Sequence, residues 1–230
     1  MSDSPIITAR GVTRVLPGPV PVTLVDGIDL TIEEGGMVAI TGPSGSGKSS
    51  LLYLLGLLDA PTAGDVLVSG QSTARLDEDA RARLRLTSLG FVFQFHFLLP
   101  EFSALENVML PMRALAAMPE RRMREHAAGL LERLGLAGHL QKTPDKLSGG
   151  QRQRVAIARS LANTPRVILA DEPTGNLDSA STAQVLAIFR ELVAAHDTTI
   201  VMVTHDLNLA AAADHRIHVV DGRLAPVPAG

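Results

Sequence analysis

The segment GPSGSGKS spans residues 42–49 and combines three glycines with Lys48 and Ser49. The apolar run GGMVAIT before it predicts a buried strand, and SSLLYLLGLL after it predicts a helix. A glycine-rich turn in this position lets backbone N–H groups converge on phosphate oxygens at a helix N-terminus, which an ordinary Gly/Ser turn does not do. Lys48 would then reach the β and γ phosphates, and the Ser49 hydroxyl would bind Mg²⁺. The predicted nucleotide-binding residues are Gly42, Pro43, Ser44, Gly45, Ser46, Gly47, Lys48, Ser49 and Ser50.

A pair of carboxylates follows a second apolar run, in VILADEPT at residues 167–174. Carboxylates at the carboxyl end of a parallel strand lie in the crevice where α/β proteins bind ligands. Asp171 suits the shell of a magnesium ion, and Glu172 is then positioned to accept a proton from an attacking water. An acidic pair after a strand is often only the start of a loop. Downstream of a phosphate-binding loop, the catalytic interpretation is favoured.

The pentapeptide LSGGQ, residues 147–151, opens the helical pattern QRQRVAIARSLA. On its own, Ser-Gly-Gly could be an ordinary helix cap. Together with the phosphate loop and the acidic strand end, it makes the chain resemble the ATP-binding cassette (ABC) ATPases over nearly its whole length. The resemblance implies a head-to-tail homodimer, in which this segment binds the γ-phosphate of the ATP held by the opposite subunit. The implied contacts are Ser148, Gly149, Gly150 and Gln151.

Three further positions take their roles from the same resemblance. Gln94 ends FVFQ where the family has its Q-loop, which senses Mg²⁺ and the water, so it is expected to be both a catalytic and a metal-site residue. Asp178 in GNLDS matches the segment that crosses the dimer interface. His205 in VTHD matches the switch histidine that contacts the γ-phosphate. The implied ligands are ATP and Mg²⁺, with Ser49, Gln94 and Asp171 at the metal and Lys48, Gln94, Glu172 and His205 in catalysis.

The elements that must position these residues alternate between strands and helices, which indicates an α/β fold. DVLVSG, LGFVFQ, RVILA, TTIVMV and HRIHVV predict strands, the last two separated by an Ala-rich helix. Ser103 and Glu106 form a predicted capping box, and a helical pattern from Pro119 ends near Gly135. The predicted fold is a P-loop cassette with a mainly parallel sheet, an antiparallel β part and a helical subdomain. One domain spans residues 1–230, with the core at 1–94 and 163–230 and the largely helical subdomain at 95–162.

The bulk composition limits the remaining function classes. The 230 residues are 46% hydrophobic and 20% charged, carry a net charge of −3, and contain no cysteine. The absence of cysteine excludes disulfides and thiolate metal sites. Without a basic patch or sustained heptads, no nucleic-acid partner is expected. The N-terminus lacks the pattern of a signal peptide, and no apolar run reaches the length of a membrane span.

The run QFHFLLPEFSALENVMLP, with GLLDAPTAGDV and LADEPTGNLD, is similar to the lipoprotein-releasing group of cassettes. That resemblance implies a transport ATPase on the cytoplasmic face of the bacterial inner membrane, which powers lipoprotein release through separate membrane subunits. These subunits are expected to dock between Phe95 and Leu110. A macrolide-exporter-like or cell-division cassette is the alternative, and a soluble cassette linked to nucleic acid is the alternative from another class.

Five of the six phenylalanines fall between residues 91 and 102. Phe91 and Phe93 alternate as in a strand and are expected to be buried. Phe95, Phe97 and Phe102 follow the predicted Q-loop, and two interpretations of them stay open. They are either core residues or the apolar wall of the groove into which a membrane subunit docks.

Overall fold

The computed structural model describes residues 5–196 and 198–228. The strands in chain order are β1 (Pro5–Leu16), β2 (Val22–Glu33), β3 (Met37–Thr41), β4 (Ala63–Val68), β5 (Gln71–Ser72), β6 (Leu89–Phe93), β7 (Val167–Asp171), β8 (Thr199–Val203), β9 (His215–Val220) and β10 (Arg223–Ala225). The helices are α1 (Lys48–Leu55), α2 (Glu78–Ser88), α3 (Ala104–Leu115), α4 (Glu120–Arg133), α5 (Gly149–Ser160), α6 (Ser179–His196) and α7 (Leu207–Ala211). All six segments predicted as strands are confirmed, as β3, β4, β6, β7, β8 and β9. The predicted α/β class is confirmed.

The larger sheet has the strand order β10-β9-β3-β8-β7-β6 and is parallel except for the edge strand β10. Its central strands are short apolar runs with almost every residue buried, as expected when helices cover both faces of a parallel sheet. The register pairs Ile40 with Val203, Val203 with Asp171, and Asp171 with Phe93. The carboxyl ends of β3, β8, β7 and β6 therefore form one row.

The smaller sheet is antiparallel, with the order β2-β1-β4-β5, so the predicted antiparallel part is confirmed. Its inward side chains, including Ile7, Val12 and Ile28, join Leu51 and Leu54 of α1 in one hydrophobic core. The smaller sheet and the larger sheet therefore share the helix that begins at the phosphate loop.

Helices α3, α4 and α5 form a lobe with a separate hydrophobic core, drawn from residues 104–162. The predicted capping box is confirmed, because the Ser103 hydroxyl accepts from the Glu106 N–H and the Glu106 carboxylate accepts from the Ser103 N–H. Gly135 follows α4 with φ of 72°, a left-handed conformation that suits glycine and stops the helix.

Two helices lie where the sequence analysis named none. α2 is highly charged and has no buried residue, so it carries no apolar periodicity to detect. α6 does carry an apolar periodicity, because Val185, Phe189 and Leu192 have helical spacing. All three are buried in a core that includes residues of the larger sheet. Residues 95–102 form turns, although the segment from 95 to 162 was expected to be nearly all helical. Within the described residues, no helix has both the length and the apolar character needed to span a membrane.

The aromatic run divides into two parts. Phe91 and Phe93 are half-buried, stacked on each other with ring centroids 6.0 Å apart, so the expectation that both are buried is only partly met. Phe95 and Phe97 are 68% and 62% exposed, and Phe102 is half-buried. The Phe97 ring meets Phe93 edge-on at 5.3 Å. The core interpretation is therefore wrong for Phe95 and Phe97, which present most of their apolar surface to solvent.

Candidate functional site

The phosphate loop turns between β3 and α1 through glycines with positive φ. Gly42 has φ of 144° and Gly47 has φ of 96°. A Cβ atom at Gly42 would collide with the Val219 carbonyl oxygen, and one at Gly47 would collide with the Leu24 carbonyl oxygen. Both positions therefore need glycine for conformation and for space. The resulting loop ends at the N-terminus of α1, where the helix dipole favours an anion.

Lys48 lies folded over this loop. Its Nζ atom donates to the carbonyl oxygens of Gly42, at 3.0 Å, and Pro43, at 2.6 Å. The Ser46 side chain is buried, and its hydroxyl has no hydrogen-bond partner among the described residues. The Lys48 ammonium and the unpaired Ser46 hydroxyl, both close to a helix N-terminus, are groups that can bind phosphate oxygens.

Asp171, at the end of β7, links this loop to the acidic strand. Its Oδ1 accepts from the Ser49 hydroxyl at 2.9 Å, and its Oδ2 accepts from the Tyr53 hydroxyl at 2.7 Å. The structure thus brings together Ser49 and Asp171, as the sequence analysis expected. It also adds Tyr53, which the analysis missed. The available signal was its position on α1, since residues four apart lie on the same helix face.

Glu172 adopts a left-handed conformation with φ of 47°, directly after β7. Its N–H donates to the Val203 carbonyl at 3.0 Å. This turn aims the carboxylate at His205, and Glu172 Oε2 lies 2.8 Å from His205 Nδ1. The Glu172 side chain is 20% exposed and the His205 side chain 72% exposed. The pair therefore lies at the rim of the row of strand ends, where water can reach it.

Gln94 follows β6 and faces the segment after Glu172. Its Nε2 lies 3.4 Å from Asn176 Oδ1, and Asn176 Nδ2 lies 3.4 Å from the Gln94 carbonyl oxygen. A Cβ atom at Gly175 would approach Gln94 Nε2 to 2.7 Å, so the contact leaves no room for a side chain there. Asn176 is a second residue that the sequence analysis did not single out.

The LSGGQ segment has its own local geometry. Ser148 caps α5, and Gln151 closes a capping box with it. Asp178 caps α6, where its carboxylate accepts from the Ser181 N–H at 2.7 Å. That bond is the largest cause of the lowered pKa of Asp178. Among the described residues, no hydrogen bond joins Asp178 or residues 148–151 to the phosphate loop of the same chain.

A family model described as ABC transporter matches residues 25–175. The chain belongs to this family. It is an ATP-binding cassette ATPase.

Relatives cover almost the whole cassette. "Lipoprotein-releasing system ATP-binding protein LolD" of Anaeromyxobacter dehalogenans is 50% identical over 96% of this chain and 93% of its own length. The protein of the same name from Pseudomonas fluorescens is 46% identical, over 99% of this chain and 100% of its own length. A solved dimeric ATP-binding cassette, in a post-hydrolysis state with bound ADP and Pi, superposes with a TM-score of 0.89 at 39% identity, covering 96% of this chain and 97% of that one.

The oxygen atoms around Asp171 fit the magnesium ion that accompanies ATP in enzymes of this kind. One carboxylate and one hydroxyl meet at the row of strand ends. Among the described residues, no group of three or more His, Cys, Asp or Glu side chains could hold a metal by itself. Magnesium suits this arrangement, because it binds through one or two protein oxygens and completes its shell with water and substrate phosphates.

The titration of Tyr53, followed by absorbance, tests its contact with Asp171. Burial, followed by the hydrogen bond and the charge of Asp171, raises the pKa of Tyr53 to about 12. Because this is the one tyrosine in the chain, tyrosinate absorbance measures it directly. We expect the folded cassette to titrate well above the value of about 10 for an unfolded chain. The associated stability is present below that unfolded pKa and is lost as the pH rises through the folded pKa.

Two titrations serve as controls for this prediction. The cassette in denaturant should titrate at the ordinary tyrosine pKa. The folded Asp171→Asn variant should titrate between the denatured and wild-type values, because the charge is removed while burial remains. Equal titration of folded wild type and denatured chain would contradict the Tyr53–Asp171 bond.

Proposed function

We propose that this cassette hydrolyses ATP to power the release of lipoproteins from the bacterial inner membrane, through separate membrane subunits. The observation that carries the hydrolytic part is the row of strand ends, where Lys48, Asp171 and the Glu172–His205 pair lie together. The lipoprotein part is supported by relatives named for that process, which align over 96% and 99% of this chain. They favour it over the macrolide-exporter, cell-division and nucleic-acid alternatives.

The proposed chemistry divides among the residues of this row. The loop glycines, Ser46 and Lys48 bind the phosphates, with Pro43 and Ser44 in the same loop and Ser50 in the first turn of α1. Glu172 accepts a proton from the attacking water, and His205 orients the Glu172 carboxylate and reaches the γ-phosphate. Gln94 contacts the attacking water. Ser49 and Asp171, with Gln94 nearby, would hold Mg²⁺, which would neutralise developing charge on the phosphates.

We propose that two copies assemble head to tail, with each ATP between the phosphate loop of one copy and Ser148–Gln151 of the other. Ser148 is exposed. Its hydroxyl occupies the Gln151 N–H, but the Gly149 and Gly150 N–H groups in the first turn of α5 have no acceptor among the described residues, so they can bind an anion from outside the chain. The dimeric solved relative supports the assembly. Asp178, beside this segment, would lie at the same interface.

Membrane subunits are proposed to dock near Phe95–Leu110, where the Phe95 and Phe97 rings are exposed. A groove of about 380 Å³ lies next to it, lined by Phe91, Phe93, Leu86, Pro111 and Arg159 among others. The groove and the exposed rings form an apolar surface between the core, residues 1–94 and 163–230, and the proposed helical subdomain, residues 95–162. Such a surface suits an amphipathic helix of a partner. The docked cassette would lie on the cytoplasmic face of the membrane.

Glu172→Gln tests the proposed base, because it preserves size and hydrogen bonding but removes the proton acceptor. We expect ATP turnover to fall by roughly two to four orders of magnitude, while ATP binding survives and the dimer accumulates. Phosphate release and nucleotide binding measure the two effects. With the membrane subunits in liposomes, ATP-dependent lipoprotein release should fall in parallel.

The matched control is Glu132→Gln, at an exposed position on α4. It should hydrolyse ATP at the wild-type rate. Near-normal turnover by Glu172→Gln would disprove the assignment of Glu172 as the base. Normal hydrolysis by the wild-type complex without lipoprotein release would disprove lipoproteins as the cargo.

A mixing experiment tests the composite sites. Ser148→Arg and Lys48→Ala each damage both sites of their own homodimer. A mixed dimer holds one doubly damaged site and one intact site, so hydrolysis should reappear on mixing. Recovery is measured as phosphate release across mixing ratios, with each variant alone as the control. No recovery, although mixed dimers form, would contradict sharing of the sites or the ability of one site to act alone.

Phe97→Ala tests the docking surface. Because the ring is already largely exposed, its truncation should change the melting temperature little but weaken copurification with the membrane subunits. An aromatic anchor at an interface commonly contributes about 2 kcal/mol or more. Phe189→Ala, at a fully buried ring of α6, is the control and should cost about 3–5 kcal/mol of stability. A strongly lowered melting temperature for Phe97→Ala, or unchanged copurification, would contradict docking at this surface.

A further inference from the structure

Gln153 is a fully buried polar side chain in the middle of α5, with 0% exposure. Its Nε2 atom donates to the carbonyl oxygen of Pro173 at 2.6 Å, across the gap between α5 and the turn that follows β7. Its Oε1 atom is buried without a hydrogen-bond partner among the described residues. The acceptor on Pro173 fixes the orientation of the amide, because a flipped amide would set two oxygens against each other.

The turn that Gln153 contacts includes the proposed base. Glu172 has φ of 47°, a left-handed conformation that is unfavourable for a non-glycine residue. A conformation of this kind persists only where its surroundings hold it. Among the described residues, three hydrogen bonds anchor the backbone of Glu172 and Pro173: Glu172 N–H to the Val203 carbonyl at 3.0 Å, Gly175 N–H to the Glu172 carbonyl at 3.1 Å, and Gln153 to the Pro173 carbonyl.

The Gln153 anchor differs from the other two because a side chain supplies it. Pro173 has no N–H group, so its carbonyl is the only backbone hydrogen-bonding group that can hold this residue. Removing the amide leaves that buried carbonyl unpaired and frees the Pro173–Thr174 peptide unit, one residue beyond Glu172, to rotate. The Glu172 carboxylate, now 2.8 Å from His205, would then lose its fixed direction.

Stability alone does not require a glutamine at this position. The buried Oε1 atom has no partner, whereas an apolar side chain of similar length would instead leave the Pro173 carbonyl unpaired, so the two costs roughly offset each other. The helix is otherwise well packed at this level, since Val155, Ala156, Ile157 and Ala158 are all fully buried. The amide is therefore better explained by its bond to the Pro173 carbonyl than by a contribution to the stability of the fold.

We propose that Gln153 is a positioning residue for Glu172, fixing the direction of the base through the carbonyl of Pro173. This inference rests on the proposed role of Glu172 in ATP hydrolysis. Gln153 is fully buried, so it would act through the Pro173 carbonyl rather than on the reacting atoms. Its effect should therefore appear in kcat and disappear once the Glu172 carboxylate is gone.

Gln153→Met is the principal test, because methionine keeps the unbranched shape and removes the donor. In the full complex, we expect kcat to fall about tenfold or more, because the carboxylate of the base loses its fixed direction. KM and nucleotide affinity should stay within about twofold, since the phosphate loop is untouched. In a Glu172→Gln background, Gln153→Met should cause no further fall in single-turnover hydrolysis, because it acts through the group already removed.

Val155→Ala is the matched control on the same helix. It removes buried apolar volume and lowers the melting temperature, but it breaks no bond to the Glu172 turn, so kcat should be unchanged. Gln153→Leu repeats the test with a second apolar side chain. Failure of both Gln153 variants to fold, while Val155→Ala folds, would overturn the proposal by making Gln153 a residue of structural stability alone.

The remaining outcomes distinguish the positioning role of Gln153 from the proposed ATPase function on which it rests. A wild-type complex without ATPase activity would refute the proposed function. An active Glu172→Gln variant would refute the role of Glu172 as the base. An inactive Glu172→Gln variant beside a folded Gln153→Met of normal kcat would refute only the positioning role. An additive fall in the double variant would also refute it, since Gln153 would then act through another group.

Discussion

Parallel pairing of β3, β8, β7 and β6 is the constraint on which the candidate site depends. In-register pairing sets Ile40, Val203, Asp171 and Phe93 side by side, so the four segments that follow emerge along one edge. The phosphate loop, His205, Glu172 and Gln94 come from positions far apart in the chain. They meet because parallel strands all present their carboxyl ends at the same edge of a sheet. The bond from Ser49 to Asp171 then fixes the phosphate loop relative to β7.

Helix α5 secures two unfavourable backbone turns at this edge. Gln153 anchors the turn at Glu172, and Arg159 donates to the carbonyl oxygens of His96, at 2.5 Å, and Phe97, at 2.6 Å. His96 and Phe97 are both left-handed, with φ of 61° and 47°. Burial lowers the pKa of the Arg159 guanidinium. One helix therefore holds the turn of the proposed base and the turn that presents the exposed aromatic rings.

Local patterns in the sequence predicted the strands, the phosphate loop and the α3 capping box, because each depends on residues close together in the chain. The contacts of Tyr53 with Asp171 and of Gln153 with Pro173 were not predictable in the same way, since they join residues 118 and 20 positions apart. Helix α2 was missed because five of its eleven side chains are charged and none is fully buried, so it has little apolar periodicity. The exposure of Phe95 and Phe97 could not be read from composition, because an apolar side chain looks the same in a core and in a docking surface.

The strand order also governs when the nucleotide loop can form during synthesis. β3 is made early, yet both of its neighbours, β8 and β9, lie after residue 198. The loop itself is held by late residues, since the Gly222 N–H donates to the Ser46 carbonyl at 2.9 Å. The α3–α5 lobe, by contrast, draws the buried residues of its hydrophobic core from residues 104–162. During synthesis, the helical lobe can therefore fold first. The nucleotide loop can take its final shape only after almost the whole chain has emerged from the ribosome.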